Sequence, residues 1–219
     1  MDIGIIGAGQ VACAFARKVI GTGHTVMISN SKGPESLASV VAQLGPNARA
    51  VSKEDAAQVP LVLLGVAWQN VASALSGLPA WRQQILIDAT NPFDGTPQGG
   101  LVDLGGQTSS EIVAQLAPGA SVVKAINTSF MSNFSQEPQR NGMRRVLFVS
   151  ADNAAAKNTV ALLFETLGFA PIDLGNLKRG GAIQGMGAPI AGHDFFVPWP
   201  APRSFPFGLP QEYLNEQQS

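Results

Sequence analysis

The chain has 219 residues, of which 45% are hydrophobic and 13% are charged, and its formal net charge is −1. A chain of this length forms one domain, or one domain with an appendage, and buries a substantial core. The composition excludes a disordered chain, and the balanced charge, without long runs of one sign, argues against nucleic acid and anionic membranes as partners.

Cysteine usage and the amino-terminal sequence bear on the compartment. The single cysteine, Cys13, cannot form a disulfide within the chain. A strand-like run begins directly after Met1, without the charged and apolar regions of a signal peptide. We therefore expect a cytoplasmic protein. No run reaches the roughly 18 to 20 apolar residues of a membrane span, and with only His24 and His193 beside Cys13 we expect no metal site.

Short apolar runs alternate with segments that have helical spacing along most of the chain. Strands are predicted at residues 3–6, 25–29, 48–51, 61–64, 85–88, 121–126, 146–150 and 170–174. Helices are predicted at residues 10–20, 35–44, 71–78, 109–116 and 154–167. The run at 61–64 is uniformly aliphatic, as a strand covered on both faces requires. The alternation predicts an α/β fold with a Rossmann-like, doubly wound and mostly parallel sheet.

The composition changes after Leu177, so we predict a domain over 1–177 and an extension over 178–219. Six prolines lie between Pro189 and Pro210, and that density forbids a continuous helix or a central strand. Proline enrichment also suits a disordered tail, but such tails are poor in aromatic residues. Five aromatic residues accompany these prolines: Phe195, Phe196, Trp199, Phe205 and Phe207. We therefore favour an extension packed on its own domain or on a second subunit, and a homodimer.

A glycine motif follows the first predicted strand. Gly7 and Gly9, with Ala12 three residues later, form a G-x-G-x-x-A sequence at the start of the first helix. In a dinucleotide site, Gly7 permits the tight turn, Gly9 leaves room for a pyrophosphate, and Ala12 allows close packing. The helix N-terminus supplies free N–H groups to the phosphates. The position of this motif predicts a dinucleotide site, although a glycine-rich turn can also be purely structural.

The end of the second predicted strand distinguishes between the two nicotinamide cofactors. An NAD site usually places an acidic residue there to bind the ribose hydroxyls, but the first acidic residue after Asp2 is Glu35. The strand instead ends in short polar side chains and one cation, which suit a 2′-phosphate: Ser29, Asn30, Ser31 and Lys32. The sequence therefore favours NADP(H), although Lys32 also suits an ordinary solvated loop.

Three further segments follow strands four, five and six, at the edge where open α/β sheets bind ligands. They span 65–68, 88–92 and 124–128. Asn91 with Pro92 equally suits a simple turn, and Asn127 equally suits a loop cap. Lys124 is expected either to pair with a phosphate or a carboxylate, or to extend to solvent.

Taken together, these segments resemble the deazaflavin-dependent NADP reductase family, the 8-hydroxy-5-deazaflavin:NADP oxidoreductases and their relatives, which include the reductase domain of membrane metalloreductases. The resemblance rests on six segments in order: GIIGAGQVACAFA, TVMISNS, VLLGVAWQNV, LIDATNPFDG, VVKAINT and LGFAPIDLGNLKRGG. It implies NADP(H) bound along the strand ends, with a deazaflavin or a flavin as co-substrate.

The resemblance also implies roles for individual residues. The residues that would hold the pyrophosphate are Gly7, Gly9, Gln10 and Val11. Those that would hold the 2′-phosphate are Ser29, Asn30, Ser31 and Lys32. Those that would line the path from adenosine to nicotinamide are Val66, Ala67, Asn91 and Pro92, and Asn127 with Thr128 would approach the nicotinamide. The chain departs from the family at 129–134, where SFMSNF replaces a small aliphatic and proline stretch.

The expected function is NADP(H)-dependent transfer of a hydride between the nicotinamide and a small planar acceptor of deazaflavin or flavin type. Such transfer needs few catalytic side chains, because alignment of the two rings supplies most of the rate, and no catalytic residue is assigned. The alternative is a non-catalytic NADP(H)-binding redox sensor in which Phe130 and Phe134 close the acceptor pocket. A relative of pyrroline-5-carboxylate reductase is the weakest hypothesis, since prolines interrupt the region where a dimerisation helix would lie.

Overall fold

A computed structural model of the chain describes residues 1–200. Its strands are β1 (Asp2–Ile6), β2 (Thr25–Ser29), β3 (Ala48–Ala50), β4 (Leu61–Leu64), β5 (Ile85–Asp88), β6 (Ser121–Ala125), β7 (Gln139–Arg140), β8 (Met143–Ala151), β9 (Ala170–Asp173) and β10 (Phe196–Pro198). Its α-helices are α1 (Gln10–Gly21), α2 (Ala38–Leu44), α3 (Lys53–Ala56), α4 (Val71–Leu75), α5 (Ser109–Leu116), α6 (Met131–Phe134), α7 (Ala154–Thr166) and α8 (Arg179–Ile183).

The strands form one mixed sheet. Six of them are parallel in the order β3-β2-β1-β4-β5-β6, which is the strand order of a Rossmann fold. Strand β8 then pairs antiparallel with β6, while β9 pairs parallel with β8. The predicted Rossmann-like α/β fold is confirmed, and the sheet is mostly parallel.

Apolar clusters cover both faces of the sheet. On one face, α1 and α7 pack through side chains such as Phe15 and Phe164. On the other face, α4 and α5 pack through side chains such as Val71 and Val113. All four residues of β4 are buried, because this strand lies between the two layers. The doubly covered sheet leaves the carboxyl ends of its parallel strands as the edge open to a ligand.

Two predicted helices differ from the observed ones. The first was predicted at 35–44, but its start lies in a 3₁₀ turn over Pro34–Leu37, and the α-helix begins only at Ala38. The second ends at Leu75 rather than at residue 78, because Ser76 is extended and Gly77 has a φ of 72°. The helices α3, α6 and α8 have four or five residues each, too few for hydrophobic periodicity to predict them.

Residues 178–200 lie against the sheet. After α8 the chain returns as β10, which pairs antiparallel with the first residues of β8. The buried Arg145 of β8 fastens this segment, because its Nε donates to Asp194 Oδ1 at 2.7 Å and its Nη1 donates to the backbone oxygen of Asn133. The boundary at residue 177 stays a prediction, and Phe205, Phe207 and Pro210 lie outside the described residues. No helix within residues 1–200 combines the length and the apolar character needed to cross a bilayer.

Candidate functional site

A cleft with a volume of about 580 Å³ lies at the carboxyl ends of β1, β2 and β4. The turn from β1 into α1 forms its floor, and the segments after β2, β3 and β4 form its walls. The lining residues are Ile6, Gly7, Ala8, Gly9, Ser29, Asn30, Ser31, Gly33, Pro34, Ser52, Lys53, Glu54, Gly65, Val66, Ala67, Asn70, Ser73 and Ala74. Seven of the fourteen predicted site residues are therefore brought together here.

The glycines of the β1–α1 turn have different physical roles. Gly7 has a φ of 117°, and a Cβ there would lie 2.2 Å from the backbone oxygen of Gly65. A Cβ on Gly9 would meet no atom within 4 Å, so the missing side chain widens the cleft and relieves no internal contact. The buried Ala12 packs against Gly65, where an added Cβ would lie 3.4 Å from the Ala12 Cβ. Gly9 is also the N-cap of α1, so the first N–H groups of that helix lie beside the cleft.

The segment after β2 offers polar groups of unequal accessibility. The hydroxyl of Ser29 is fully buried and donates to the backbone oxygen of Ile5 at 2.9 Å. Asn30 Oδ1 accepts from the backbone N–H of Lys32, while its Nδ2 donates to Ser36 Oγ. These bonds fix the loop and leave Ser31 on the cleft wall. Lys32 is exposed and lies outside the lining.

The wall after β3 contains residues that the sequence analysis did not identify. Ser52 caps α3 by accepting from the N–H of Asp55, and Lys53 and Glu54 follow it along the cleft. The ammonium of Lys53 donates to the backbone oxygens of Ser73 and Ser76. Lys53 therefore joins this wall to α4 on the opposite side. The signal available in the sequence was the Ser52 cap with two acidic residues directly after a short strand.

The loops after β5 and β6 meet through Asn91 and Asn127. Asn91 Nδ2 donates to the backbone oxygen of Asn127 at 2.9 Å, and Asn127 Nδ2 donates to Asn91 Oδ1 at 3.3 Å. Asn127 Nδ2 also donates to the backbone oxygen of Gln184, directly after α8, at 2.7 Å. Gln184 had not been identified from the sequence. Gln10, Val11, Pro92 and Thr128, like the asparagine pair, lie outside the cleft lining.

One atom of this pair has no partner. Asn127 is 4% exposed, and its Oδ1 makes no hydrogen bond. The orientation of the amide is determined by its neighbours, because both groups that Nδ2 contacts are acceptors. The preceding residue, Ile126, has a φ of 67°, a strained conformation for a β-branched residue. A buried acceptor without a donor is costly, so this atom is suited to a ligand that brings an N–H group.

Comparison with known proteins places these features in a family. Residues 2–92, which include every residue that lines the cleft, match the family described as NADP oxidoreductase, coenzyme F420-dependent. The structure of hypothetical protein SMa0349 from Sinorhizobium meliloti has a TM-score of 0.84 at 39% identity, with 90% of this chain and 96% of that chain covered. The chain belongs to this family of NADP oxidoreductases.

Two further similar proteins have names that describe a function. A protein from Arthrobacter sp. FB24 assigned as an F420-dependent NADP reductase has a TM-score of 0.73 at 27% identity, with 84% of this chain and 89% of that chain covered. The metalloreductase STEAP3 of Rattus norvegicus is 30% identical over 183 residues, which are 83% of this chain and 35% of the relative. The chain thus spans about a third of the length of the curated relatives that it matches.

In this member of the NADP oxidoreductase family, Lys124 pairs with a carboxylate. Its Nζ lies 3.1 Å from Asp88 Oδ2, and the two side chains are 1% and 0% exposed. Burial lowers the pKa of Lys124, and the Asp88 carboxylate opposes that shift. Of the two arrangements expected for Lys124, the structure has the pairing with a carboxylate and not the extension to solvent.

The two phenylalanines of the SFMSNF segment lie in different environments. Phe134 is fully buried and stacks on Phe169 with ring centroids 5.4 Å apart. Phe130 is 60% exposed, and its ring lies beside Gly192. The backbone N–H of Gly192 donates to the oxygen of Thr128 at 2.8 Å, so Phe130 lies beside the Asn127 loop. Phe134 belongs to the core and does not close a pocket.

Proposed function

We propose that the chain binds NADP(H) in the cleft and transfers a hydride between the nicotinamide and a planar acceptor. The observation that carries the proposal is the open face of Gly9, where an added Cβ would enter unoccupied space in the cleft. A glycine that no internal contact requires, at the start of a 12-residue helix, fits a pyrophosphate that must approach the backbone closely.

The cleft residues fit the successive parts of the dinucleotide. Gly7, Gly9 and the N–H groups of Gln10 and Val11 would hold the pyrophosphate. Asn30, Ser31 and Lys32 would hold the 2′-phosphate, and Lys53 brings a second cation to the cleft wall. Ser29 would contribute backbone groups only, because its hydroxyl donates to Ile5. Val66 and Ala67, then Asn91 and Pro92, would follow the ligand toward the loops after β5 and β6.

The free oxygen of Asn127 would fix the nicotinamide end. A nicotinamide carries a carboxamide whose NH₂ group donates hydrogen bonds, and Asn127 Oδ1 is a buried acceptor without a donor. This atom would accept from the carboxamide of a ligand that extends from the cleft toward the loops after β5 and β6, with Thr128 beside it. When bound, the nicotinamide supplies the hydride chemistry, and the chain holds and orients it while excluding water.

The acceptor would lie beside Phe130. An exposed aromatic ring next to the nicotinamide end suits a flat acceptor by stacking. A deazaflavin and a flavin both meet this requirement. The homodimer, the cytoplasmic location and the boundary at residue 177 are expectations from the sequence that belong to the same proposal. No observation in residues 1–200 favours the sensor alternative, since Phe134 lies in the core.

The proposal is tested by following the oxidation of NADPH at 340 nm under anaerobic conditions. We expect oxidation when FMN or an 8-hydroxy-5-deazaflavin is added. With NADPH that carries deuterium on one face of C4, the NADP⁺ formed should lose the label for one of the two stereoisomers only. Tight NADPH binding without oxidation by either acceptor would contradict hydride transfer to a planar ring and would favour the sensor. Free flavin with no protein is the control for background reduction.

A further inference from the structure

A buried ion pair connects the core to the loop that precedes Asn91. Asp88 and Lys124 are paired residues in the register of β5 and β6, and their side chains lie on the face of the sheet covered by α5. Asp88 Oδ2 accepts from Ser110 Oγ at 2.6 Å, and Lys124 Nζ donates to Ser109 Oγ at 3.0 Å. Both serines begin α5, whose N-terminus favours a carboxylate.

Both charged side chains of the pair form hydrogen bonds with Thr90. Asp88 Oδ1 accepts from the N–H of Thr90 at 2.9 Å and from its Oγ1 at 2.7 Å. Lys124 Nζ donates to the backbone oxygen of the same residue. Three hydrogen bonds to the ion pair therefore fix Thr90, which directly precedes Asn91. Asn91 in turn donates a hydrogen bond to the backbone oxygen of Asn127.

A second connection runs from Lys124 through the carboxyl-terminal segment. Gln184 Nε2 donates to Ser150 Oγ at 2.7 Å and lies 3.5 Å from the backbone oxygen of Lys124. The backbone oxygen of Gln184 in turn accepts from Asn127 Nδ2. Asn127 is thus connected to the ion pair through Thr90 and Asn91, and to the backbone of Lys124 through Gln184.

From these contacts we infer that Asp88 and Lys124 are positioning residues, which hold Asn91 and Asn127 where the nicotinamide carboxamide binds. The inference rests on the proposed function. The stability of the fold alone does not explain why this ion pair is present. The cost of removing two charges from water offsets most of their attraction, and apolar residues often replace a buried ion pair without loss of stability. The neighbouring positions Leu86 and Val122 on the same face are apolar. What apolar residues would not supply is the set of donors and acceptors that fixes Thr90.

The test compares two variants with wild type. The charge-balanced double variant Asp88→Asn with Lys124→Met keeps the volume of both side chains but removes the donor to Thr90. Thr90→Val keeps both charges and removes only the hydroxyl bond to Asp88. Thr166→Val, on the exposed face of α7, is the matched control for that substitution.

The readout is saturation-transfer NMR with NADP⁺, which reports the nicotinamide and adenine protons of one ligand separately. We expect the ratio of nicotinamide to adenine saturation to fall about three- to tenfold in both variants, as expected for the loss of one net hydrogen bond. The control should keep the wild-type ratio. A purely structural role would change both proton sets together with the melting temperature and leave the ratio unchanged.

The outcomes separate the inference from the proposed function. A wild-type ratio in a folded Thr90→Val or double variant overturns the positioning role while leaving NADP(H) binding intact. If wild type shows binding of NADP⁺ neither by saturation transfer nor by fluorescence titration, the proposed function fails and the inference fails with it. If the double variant does not fold, Thr90→Val decides, because it leaves the ion pair in place.

Discussion

Gly7 and Gly65 approach so closely that a Cβ on Gly7 would lie 2.2 Å from the backbone oxygen of Gly65. Gly7→Ala is therefore expected to lower the free energy of unfolding by about 3 kcal/mol or more, from the clash and from the φ of 117° together. Urea denaturation measures this loss.

Gly23→Ala is the control, because Gly23 has a φ of 86° but no atom within 4 Å of an added Cβ. It should cost about 1 kcal/mol, the effect of the backbone conformation alone. Equal losses in the two variants would show that the contact with Gly65 is unimportant.

Lys32→Ala should weaken NADPH binding about three- to fivefold at low ionic strength and leave NADH binding unchanged, because only NADPH carries the 2′-phosphate. Fluorescence titration measures both ligands, and the difference should shrink as salt is added. Lys178→Ala, also on the surface, should change neither affinity. An equal loss for NADPH and NADH would place Lys32 away from the 2′-phosphate.

Phe130→Ala should change the free energy of unfolding by less than about 0.5 kcal/mol, since the side chain is largely exposed. The KM for FMN should rise about five- to tenfold if the ring stacks on the acceptor. Steady-state kinetics with saturating NADPH measure this change. Leu162→Ala, at an equally exposed position of α7, should leave the KM unchanged, and an unchanged KM in Phe130→Ala would remove the residue from the acceptor site.

Arg145→Met should lower the free energy of unfolding by about 1–3 kcal/mol, because it leaves the backbone oxygens of Asn133 and Glu137 without their donor and the partly exposed carboxylate of Asp194 without its partner. Asp194→Asn should cost less, since the bonds from Arg145 to the oxygens of Asn133 and Glu137 remain. Chemical denaturation of both variants gives the comparison. Equal losses of unfolding free energy in the two variants would indicate that Arg145 stabilises the protein only through its ion pair with Asp194.

The parallel strands and α1 could be predicted because long or uniformly apolar patterns reflect burial directly. The direction of β8 could not be predicted, since its apolar residues suit either orientation beside β6. The sequence could not decide whether Lys124 pairs with an acidic group or extends to solvent. Its partner Asp88 lies 36 residues away, and only the pairing register of β5 with β6 brings the two side chains together.

Part of the candidate site could likewise be predicted. The glycine motif and the strand-end segments determined seven lining residues, since the carboxyl ends of neighbouring parallel strands meet at one edge. Lys53 was missed, because α3 has only four residues, too few for hydrophobic periodicity to reveal it, and the Ser52 cap is its one sequence signal. The positive φ of Ile126 and the contact of Gln184 with Asn127 depend on tertiary packing, and no local pattern indicates them.

The central claim is that NADP(H) binds in the cleft beside Gly9, and titration of wild type and Gly9→Val with NADPH tests it most directly. Gly9 has a φ of −80° and a ψ of −171°, a conformation that valine also adopts, so the variant should fold, with a melting temperature lowered only by the small cost of valine at an N-cap. The account predicts tight NADPH binding to wild type and its loss in Gly9→Val. Equal binding by the two folded proteins would contradict it.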